Sequence, residues 1–242
     1  MEIEVNKKMK RFLLILNCIL LGVGNSCGPL IMRLYFLRGG KRIWLSSFLE
    51  TAGWPIIFIP LFIAYLHRRR RRRNLQSDHH STPLFFTTTP LFFAAAIIGI
   101  LTGLDNYLYA YGVSLLPIST SALINTSQLA FTAGFAFLLV RQKLTPFSVN
   151  AIFLLTMGSV LLAMHSNGDR PDGESNKKYY LGFIMTVAAA ALYGLVLPMV
   201  ELMYKKTKQR MSYTVVMEVQ LVICFFSTLF CCVGDSKGSK GI

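Results

Sequence analysis

The chain has 242 residues, of which 53% are hydrophobic and only 15% are charged, and its formal net charge is +14. This composition excludes an ordinary soluble domain, which is more polar at this length. The positive charge by itself would suit a nucleic-acid-binding protein, so its distribution along the chain has to be considered.

Apolar runs of about 20 residues recur along the chain, and each is long enough to cross a hydrocarbon layer of roughly 30 Å as a helix. They predict seven spans, at 12–36, 43–66, 89–112, 118–140, 147–165, 179–202 and 213–233. The first run is too long for a signal peptide and lacks a clean cleavage site, so we interpret it as a span. The predicted fold is therefore an all-α integral membrane protein.

The basic residues are distributed unequally between the two sides of these spans. Most of the 25 lysines and arginines fall on one side, in the amino terminus (1–11), in the loop at 67–88 and in two later connections. The loop at 67–88 includes the arginine run Arg68–Arg73. Because basic residues favour the cytoplasmic side, we expect both the amino terminus and this loop to be cytoplasmic. The partner that this charge predicts is the anionic surface of the lipid bilayer, and not nucleic acid.

The turn-rich loop at 166–178 divides the chain into a first repeat at 12–165 and a partial second repeat at 179–233. Glycine, proline and tyrosine of the first span recur in the sixth in the same order, and a glutamate of the second span recurs in the seventh. The paired positions are Gly24 and Gly194, Pro29 and Pro198, Tyr35 and Tyr204, and Glu50 and Glu218. A period of five spans inverts the second copy, as in many secondary transporters, and makes loop 166–178 extracellular.

Charged and amide side chains occur well inside the predicted spans. Glu50, Asp105 and Asn125 each lie about seven residues from the outer end of their span, roughly 10 Å deep at 1.5 Å per residue. Such a layer is typical of the floor of a small-molecule cavity, and an ionisable group at this depth is functional by default. The predicted substrate-binding residues are Asn25, Trp54, Asp105, Asn106, Tyr107, Asn125 and Gln128.

The first span also carries Asn25 among glycines just before Pro29, where we expect a broken helix. Glu50, Asp105 and Glu218 are the predicted proton-coupling groups, because a buried carboxyl group can take up and release a proton. Packing between helices is the alternative role for the amides, and neutralisation by nearby basic residues is the alternative for Glu218. For Glu201 we expect such an ion pair.

The sequence predicts no catalytic residues and no metal site. Five cysteines lack metal-ligand spacing and are expected to be buried free thiols, and the four histidines lie around the polar loop or at a span end. No nucleophile or phosphate-binding motif is present. We therefore expect neither an enzyme nor a bound cofactor, and the proton gradient is the expected energy source.

Four stretches of the chain resemble the plant purine permeases, within the drug/metabolite transporter superfamily. They are 24–55, 101–124, 128–156 and 192–206, and the resemblance covers about residues 12–233. It implies ten helices in two inverted five-helix repeats and uptake of purine bases and derivatives such as adenine and cytokinins by proton symport. We expect a multi-pass protein of the plasma membrane. No site residue is carried over from the family.

The end of the chain departs from the family pattern, which continues with three more spans. Residues 234–242 form an atypical tail rich in glycine, serine and lysine. We expect a truncated product with impaired transport, unless self-association supplies the missing surface. A non-transporting truncated or regulatory isoform is one alternative. A seven-helix receptor is an alternative of a different class, but it requires an external amino terminus.

Overall fold

The computed structural model describes residues 2–40, 42–74, 87–143, 145–165, 176–207 and 213–238. These residues form helices and no strand, which confirms the predicted all-α fold. The helices are α1 (Glu2–Leu37), α2 (Ile43–Thr51), α3 (Trp54–Asn74), α4 (Thr89–Leu115), α5 (Ile118–Thr126), α6 (Gln128–Phe135), α7 (Pro146–His165), α8 (Asn176–Lys206) and α9 (Tyr213–Gly238), and a π-helical turn (Ala136–Val140) follows α6.

Six helical stretches among the described residues are long and apolar enough to cross a membrane. They are Leu14–Leu37, Ile43–Ile63, Thr89–Leu115, Ser119–Val140, Lys177–Lys206 and Thr214–Ser236. These coincide with six of the seven predicted spans. The remaining predicted span corresponds to α7, whose apolar stretch Pro146–Gly158 is shorter. The chain is therefore a multi-pass helical membrane protein.

The first helix forms a compact unit of its own, residues 1–41, separate from the second unit, residues 42–242. It is continuous from Glu2 to Leu37 with Pro29 inside it, so the predicted break at this proline was wrong. One proline removes a single backbone hydrogen bond, and membrane helices tolerate this loss.

Helix α4 is the centre of the second unit and packs against α8 and α9. Glycines make the close approach of these helices possible, since a side chain at Gly99 would overlap the backbone of Ile223 on α9. Likewise, a side chain at Gly112 would overlap Thr186 on α8. Small residues at such contacts are typical of helices packed within a membrane, where close van der Waals contact drives association.

The second predicted span is divided into α2 and α3 by a break at Ala52 and Gly53. Pro55 has no backbone N–H, so it cannot donate the hydrogen bond that the Thr51 carbonyl would accept in a continuous helix. The hydroxyl of Thr228 on α9 lies 2.9 Å from this carbonyl and 2.7 Å from the carbonyl of Cys224 on its own helix, so its one proton is shared between the two acceptors. The break is thus supported from a helix far away in the sequence.

The fourth predicted span is interrupted at Ser127, between α5 and α6. The hydroxyl groups of Thr126 and Ser127 donate to the carbonyls of Leu123 and Ile124, both at 2.6 Å. Such bonds from a side chain to the preceding turn compete with the helical ladder and bend it.

Three predicted boundaries differ from the structure. Helix α3 continues through Arg68–Arg73, so the arginine run extends a helix where a loop was predicted. Helix α9 continues past 233 to Gly238, and α8 begins at Asn176. In each case the polar residues prolong an apolar helix beyond its membrane-spanning part. The rest of the predicted loops and tail, 75–86, 166–175 and 239–242, lies outside the described residues.

Candidate functional site

Asp105 is a buried carboxyl group in the second unit, with only 5% of its surface exposed. It lies in the middle of α4, and its Oδ1 atom has no hydrogen-bond partner among the described residues. Burying a polar atom without a partner is costly, so buried polar groups are nearly always satisfied. An unsatisfied carboxyl oxygen inside a membrane helix is therefore a candidate contact for a substrate or a proton.

Glu50 lies in the last turn of α2 and is exposed at the surface of the chain. It is close enough to Asp105 for the charges of the two carboxyl groups to interact. The hydroxyl of Ser47 on α2 donates to the carbonyl of Asn106 on α4 at 3.2 Å and aligns the two helices. The structure thus brings two of the predicted residues together, and it places the backbone of a third, Asn106, beside them.

Three residues that were not predicted from the sequence also lie near these two carboxyl groups. Tyr109 on α4 and Tyr193 on α8 lie close enough to Asp105 for electrostatic interaction. The buried Cys231 on α9 interacts with the Thr51 side chain and with the charge of Glu50. We call the set Glu50, Thr51, Asp105, Tyr109, Tyr193 and Cys231 the carboxylate layer.

An aromatic pair lies next to this layer. The ring of Tyr107, a predicted binding residue, stacks on Trp44 at the start of α2, with ring centroids 4.0 Å apart and 21° between the planes. Phe230 on α9 is the third ring of the group, 6.1 Å from Trp44. Counting residues from the span ends did not select Trp44 as a binding residue, because a tryptophan near a span end usually anchors the helix at the membrane interface.

Asn125 and Gln128 lie on either side of the interruption at Ser127. Among the described residues, neither amide is hydrogen-bonded to Asp105 Oδ1. Helix α6 does pack closely on α8, where a side chain at Gly194, next to Tyr193, would come within 2.7 Å of Phe131 Cβ.

The remaining predicted binding residue of the first span, Asn25, belongs to the separate unit formed by α1. The carboxylate layer is built from the second unit alone.

A cavity of about 600 Å³ lies between α3, the start of α4, and α9. Its lining is mainly aromatic: Trp54, Phe58, Phe92, Phe93, Phe225 and Phe226. Of the predicted binding residues only Trp54 lines it, with its ring edge-on to Phe225 at 5.9 Å. Asp105 and Asn125 do not line this cavity, so it is not the one whose floor was predicted from their depth.

Glu218 is fully buried on α9. Its Oε2 accepts hydrogen bonds from the backbone N–H of Thr87 at 3.0 Å and from the Thr87 hydroxyl at 2.8 Å. Thr87 precedes α4, where a negative charge also interacts favourably with the helix dipole. Eighteen residues of nearly continuous helix, roughly 27 Å at 1.5 Å per residue, separate Thr87 from Asp105. Glu218 therefore lies at the other end of α4.

Two further predictions concern polar side chains away from the site. Glu201 forms the expected ion pair, with Lys205 Nζ 2.8 Å from its Oε1. Cys231 is buried as expected, whereas Cys224 is half-buried and Cys18, Cys27 and Cys232 are exposed, so the prediction of buried thiols was wrong for these four. Within the described residues, no group of three or more His, Cys, Asp or Glu side chains is placed to hold a metal ion.

Comparison with known proteins gives a family match over nearly the whole chain. A family described as purine nucleobase transmembrane transport matches residues 12–235. Purine permease 3 of Arabidopsis thaliana is 54% identical over 226 residues, which are 93% of this chain and 63% of the relative. Purine permease 2 of the same plant is 56% identical over 227 residues, 94% of this chain and 62% of the relative. Probable purine permease 4 of the same plant is 36% identical over 199 residues, which are 82% of this chain and 49% of the relative. The chain thus spans less than two thirds of the length of these relatives. No solved structure matched.

Proposed function

Because the chain belongs to the purine permease family, we propose that it acts in proton-coupled uptake of purine nucleobases and derivatives such as adenine and cytokinins. One structural observation carries the proposal for the site. Asp105 is a buried carboxyl group with an unpartnered oxygen in a membrane-spanning helix. Uptake from outside the cell gives the plasma membrane as the proposed location. The proton is the co-substrate, and no bound cofactor is required.

The chemistry of the carboxylate layer suits the edge of a purine. A carboxylate accepts hydrogen bonds from ring N–H and exocyclic amine groups, and a protonated carboxyl group also donates one. Tyr109 and Tyr193 add phenol hydroxyls near Asp105, and the ring of Tyr107 offers a flat face for stacking. The layer thus provides edge contacts for a small planar heterocycle, and Tyr107, outside the layer on α4, provides an aromatic face.

The coupling to protons is proposed to occur at Glu50 and Asp105. Their charges interact across the contact between α2 and α4, so a proton bound to either carboxyl group removes the repulsion between them. Substrate binding at Asp105 then depends on whether the pair holds a proton. Glu218 is hydrogen-bonded to Thr87 at the start of α4, so we assign to it the anchoring of α9 in place of the proton-carrying role.

The test is uptake of radiolabelled adenine and trans-zeatin by yeast that lacks its own purine transporter. Uptake is compared at acidic and neutral external pH, with and without an uncoupler, after surface expression has been confirmed. The variants are Asp105→Asn and Glu50→Gln. Glu201→Gln is the matched control, because it also removes a glutamate charge from a membrane helix but at an exposed ion pair.

We expect uptake by the unaltered chain to be higher at acidic pH and to be lost with the uncoupler. Asp105→Asn and Glu50→Gln should remove the response to pH, whereas Glu201→Gln should keep it. If the chain at the surface takes up neither compound, the proposed transport by this chain is wrong. If uptake persists in both carboxyl variants and with the uncoupler, coupling at the carboxylate layer is refuted.

A further inference from the structure

Trp44 occupies a position beside the carboxylate layer that no prediction assigned. Its indole ring is stacked on Tyr107 of α4 at 4.0 Å and lies 6.1 Å from Phe230 of α9. A third contact comes from Gly234 of α9, where any side chain would overlap the six-membered part of the indole. The glycine thus leaves the space that the indole ring fills. Three helices, α2, α4 and α9, contribute to this packing.

The register between α2 and α4 shows where this stack lies relative to the carboxyl groups. Antiparallel pairing places Trp44 against Tyr107, Ser47 against Asn106, and Glu50 within electrostatic range of Asp105. Trp44 is six residues before Glu50, roughly 9 Å along the helix. The aromatic stack therefore lies at one end of the α2–α4 contact, which is the outer end in the topology predicted from the sequence.

The stack has the geometry that a bound purine would need. A nearly parallel pair of flat rings at this separation is a favourable arrangement, and a purine is also a flat, aromatic ring system. Tyr107 is two residues from Asp105 on the same helix. Asn106, between Asp105 and Tyr107, accepts a hydrogen bond from the Ser47 hydroxyl, so a purine stacked on Tyr107 would lie at the same α2–α4 contact at which the charges of Glu50 and Asp105 interact.

We propose that Trp44 is a specificity-determining gate: it covers Tyr107 in the unoccupied protein and is displaced by a purine that stacks in its place. The inference rests on the proposed function, because it needs a purine to bind at the carboxylate layer. Trp44 competes with the substrate for one aromatic face, so the closed stack lowers the apparent affinity by the fraction of molecules in which it is formed. Ligands without a flat ring cannot replace the indole and are rejected.

The first experiment uses the fact that the chain has only two tryptophans, Trp44 and Trp54. The Trp54→Phe variant leaves Trp44 as the single tryptophan, and the Trp44→Phe variant leaves Trp54. Each is purified as the full chain in lipid nanodiscs and titrated with adenine while indole emission is recorded, and binding of radiolabelled adenine to the same samples is measured by equilibrium dialysis. We expect Trp44 emission to change saturably with adenine and Trp54 emission to stay constant.

These readouts separate the two proposals. If adenine binds in dialysis but Trp44 emission is unchanged, the gate is refuted while the proposed function stands. A response of Trp54 alone would move the binding site to the aromatic cavity and also refute the gate. If adenine does not bind to the unaltered chain, both proposals are overturned.

The second experiment tests whether two variants change the affinity for adenine in opposite directions, as competition between Trp44 and the purine for Tyr107 predicts. Trp44→Ala removes the competing ring and should tighten adenine binding by roughly three- to tenfold, whereas Tyr107→Leu removes the stacking face and should weaken it by a similar factor. Phe147→Ala is the control, since this ring on α7 is 87% exposed and should leave affinity unchanged. If the stack only holds the helices together, both Trp44→Ala and Tyr107→Leu will weaken binding, and that outcome contradicts the gate.

Discussion

Two buried carboxyl groups lie along α4, one near its start and one in its second half, and their hydrogen bonds differ. Glu218 is fully buried and accepts two hydrogen bonds from Thr87 just before the helix begins. Asp105, two thirds of the way along the same helix, is almost as buried but has an oxygen without a partner among the described residues. Burial is therefore nearly the same at the two sites, and the difference that the structure shows is the pair of hydrogen bonds that Thr87 donates to Glu218 Oε2.

This difference shows how an intramembrane carboxyl group can be assigned a role. A carboxylate that accepts hydrogen bonds from a neighbouring element stabilises the contact between the two elements, and its removal leaves the donors unpaired. A carboxylate with a free acceptor is expensive to keep, so it is retained for what it binds. Both residues were predicted to couple protons from their position in the sequence alone. Variants at the two positions can distinguish a proton-coupling role from a structural role.

The largest effect is expected from Asp105→Asn. The change conserves shape but removes the charge, so adenine uptake should fall to background while the amount of folded protein at the surface stays the same. The measurement is uptake normalised to surface protein, together with thermal unfolding of the purified chain. Since Oδ1 has no bond to lose, the midpoint of unfolding should not fall. A variant that fails to fold would show that Asp105 belongs with Glu218 as a structural group.

The next effect is expected on stability, at the other end of α4. Glu218→Ala leaves the N–H and hydroxyl of Thr87 without their acceptor, which should lower the free energy of unfolding by about 3 kcal/mol. Thr87→Val removes only the hydroxyl bond and should cost about 1 kcal/mol. Denaturant or thermal unfolding in detergent measures both.

Uptake provides the complementary readout for Glu218. Uptake per folded molecule, measured on the Thr87→Val protein and on Glu218→Gln, should keep its response to pH and to the uncoupler. If that response disappears in Glu218→Gln although the protein is folded, Glu218 carries protons as its position in the repeat suggested, and the contrast with Asp105 fails.

A smaller effect is expected where the carboxylate layer meets the helix break. Thr228→Val is nearly isosteric but removes the hydroxyl that the carbonyls of Thr51 and Cys224 share, so we expect a loss of about 1 kcal/mol. Thr156→Val is the control, because that hydroxyl bonds only carbonyls of its own helix, and it should stay within about 0.5 kcal/mol.

A double-mutant cycle can test the cause assigned to the break. Pro55→Ala restores a backbone N–H four residues after Thr51, so Thr228→Val should cost less in that background. If the cost is the same with and without the proline, the Thr228 bond is not a replacement for the missing helical bond.

The fold was largely predictable because hydrophobic length decides where helices cross a membrane. Six predicted spans coincide with helices that meet the length and hydropathy requirement. The local irregularities were not predictable in the same way. Pro29 was expected to break α1 and does not, whereas the break before Trp54 has a contact that sequence proximity does not reveal, from the hydroxyl of Thr228 to the Thr51 carbonyl 177 positions away.

Of the candidate site, only the depth of its residues in the membrane could be predicted from the sequence. Counting residues from the span ends selected Glu50 and Asp105, which the structure brings within electrostatic range of each other. Depth says nothing about the rotation of a helix about its axis or about which helices are neighbours. For that reason Tyr193 and Cys231 were missed, and Glu218 was not recognised as a partner of Thr87.

The smallest effect is expected from a third carboxyl group, that of Glu201, which extends the comparison to an exposed carboxylate. It pairs with Lys205 one helical turn away, and the two side chains are 42% and 55% exposed. Solvent screens such pairs, so Glu201→Gln should change the free energy of unfolding by no more than about 0.5 kcal/mol and leave uptake unaltered. If Glu201→Gln instead matches Asp105→Asn in uptake, any loss of negative charge impairs the protein, and the unpartnered oxygen of Asp105 no longer explains its effect. If the predicted order holds, from Asp105 through Glu218 to Glu201, the environment of each carboxyl group decides its role.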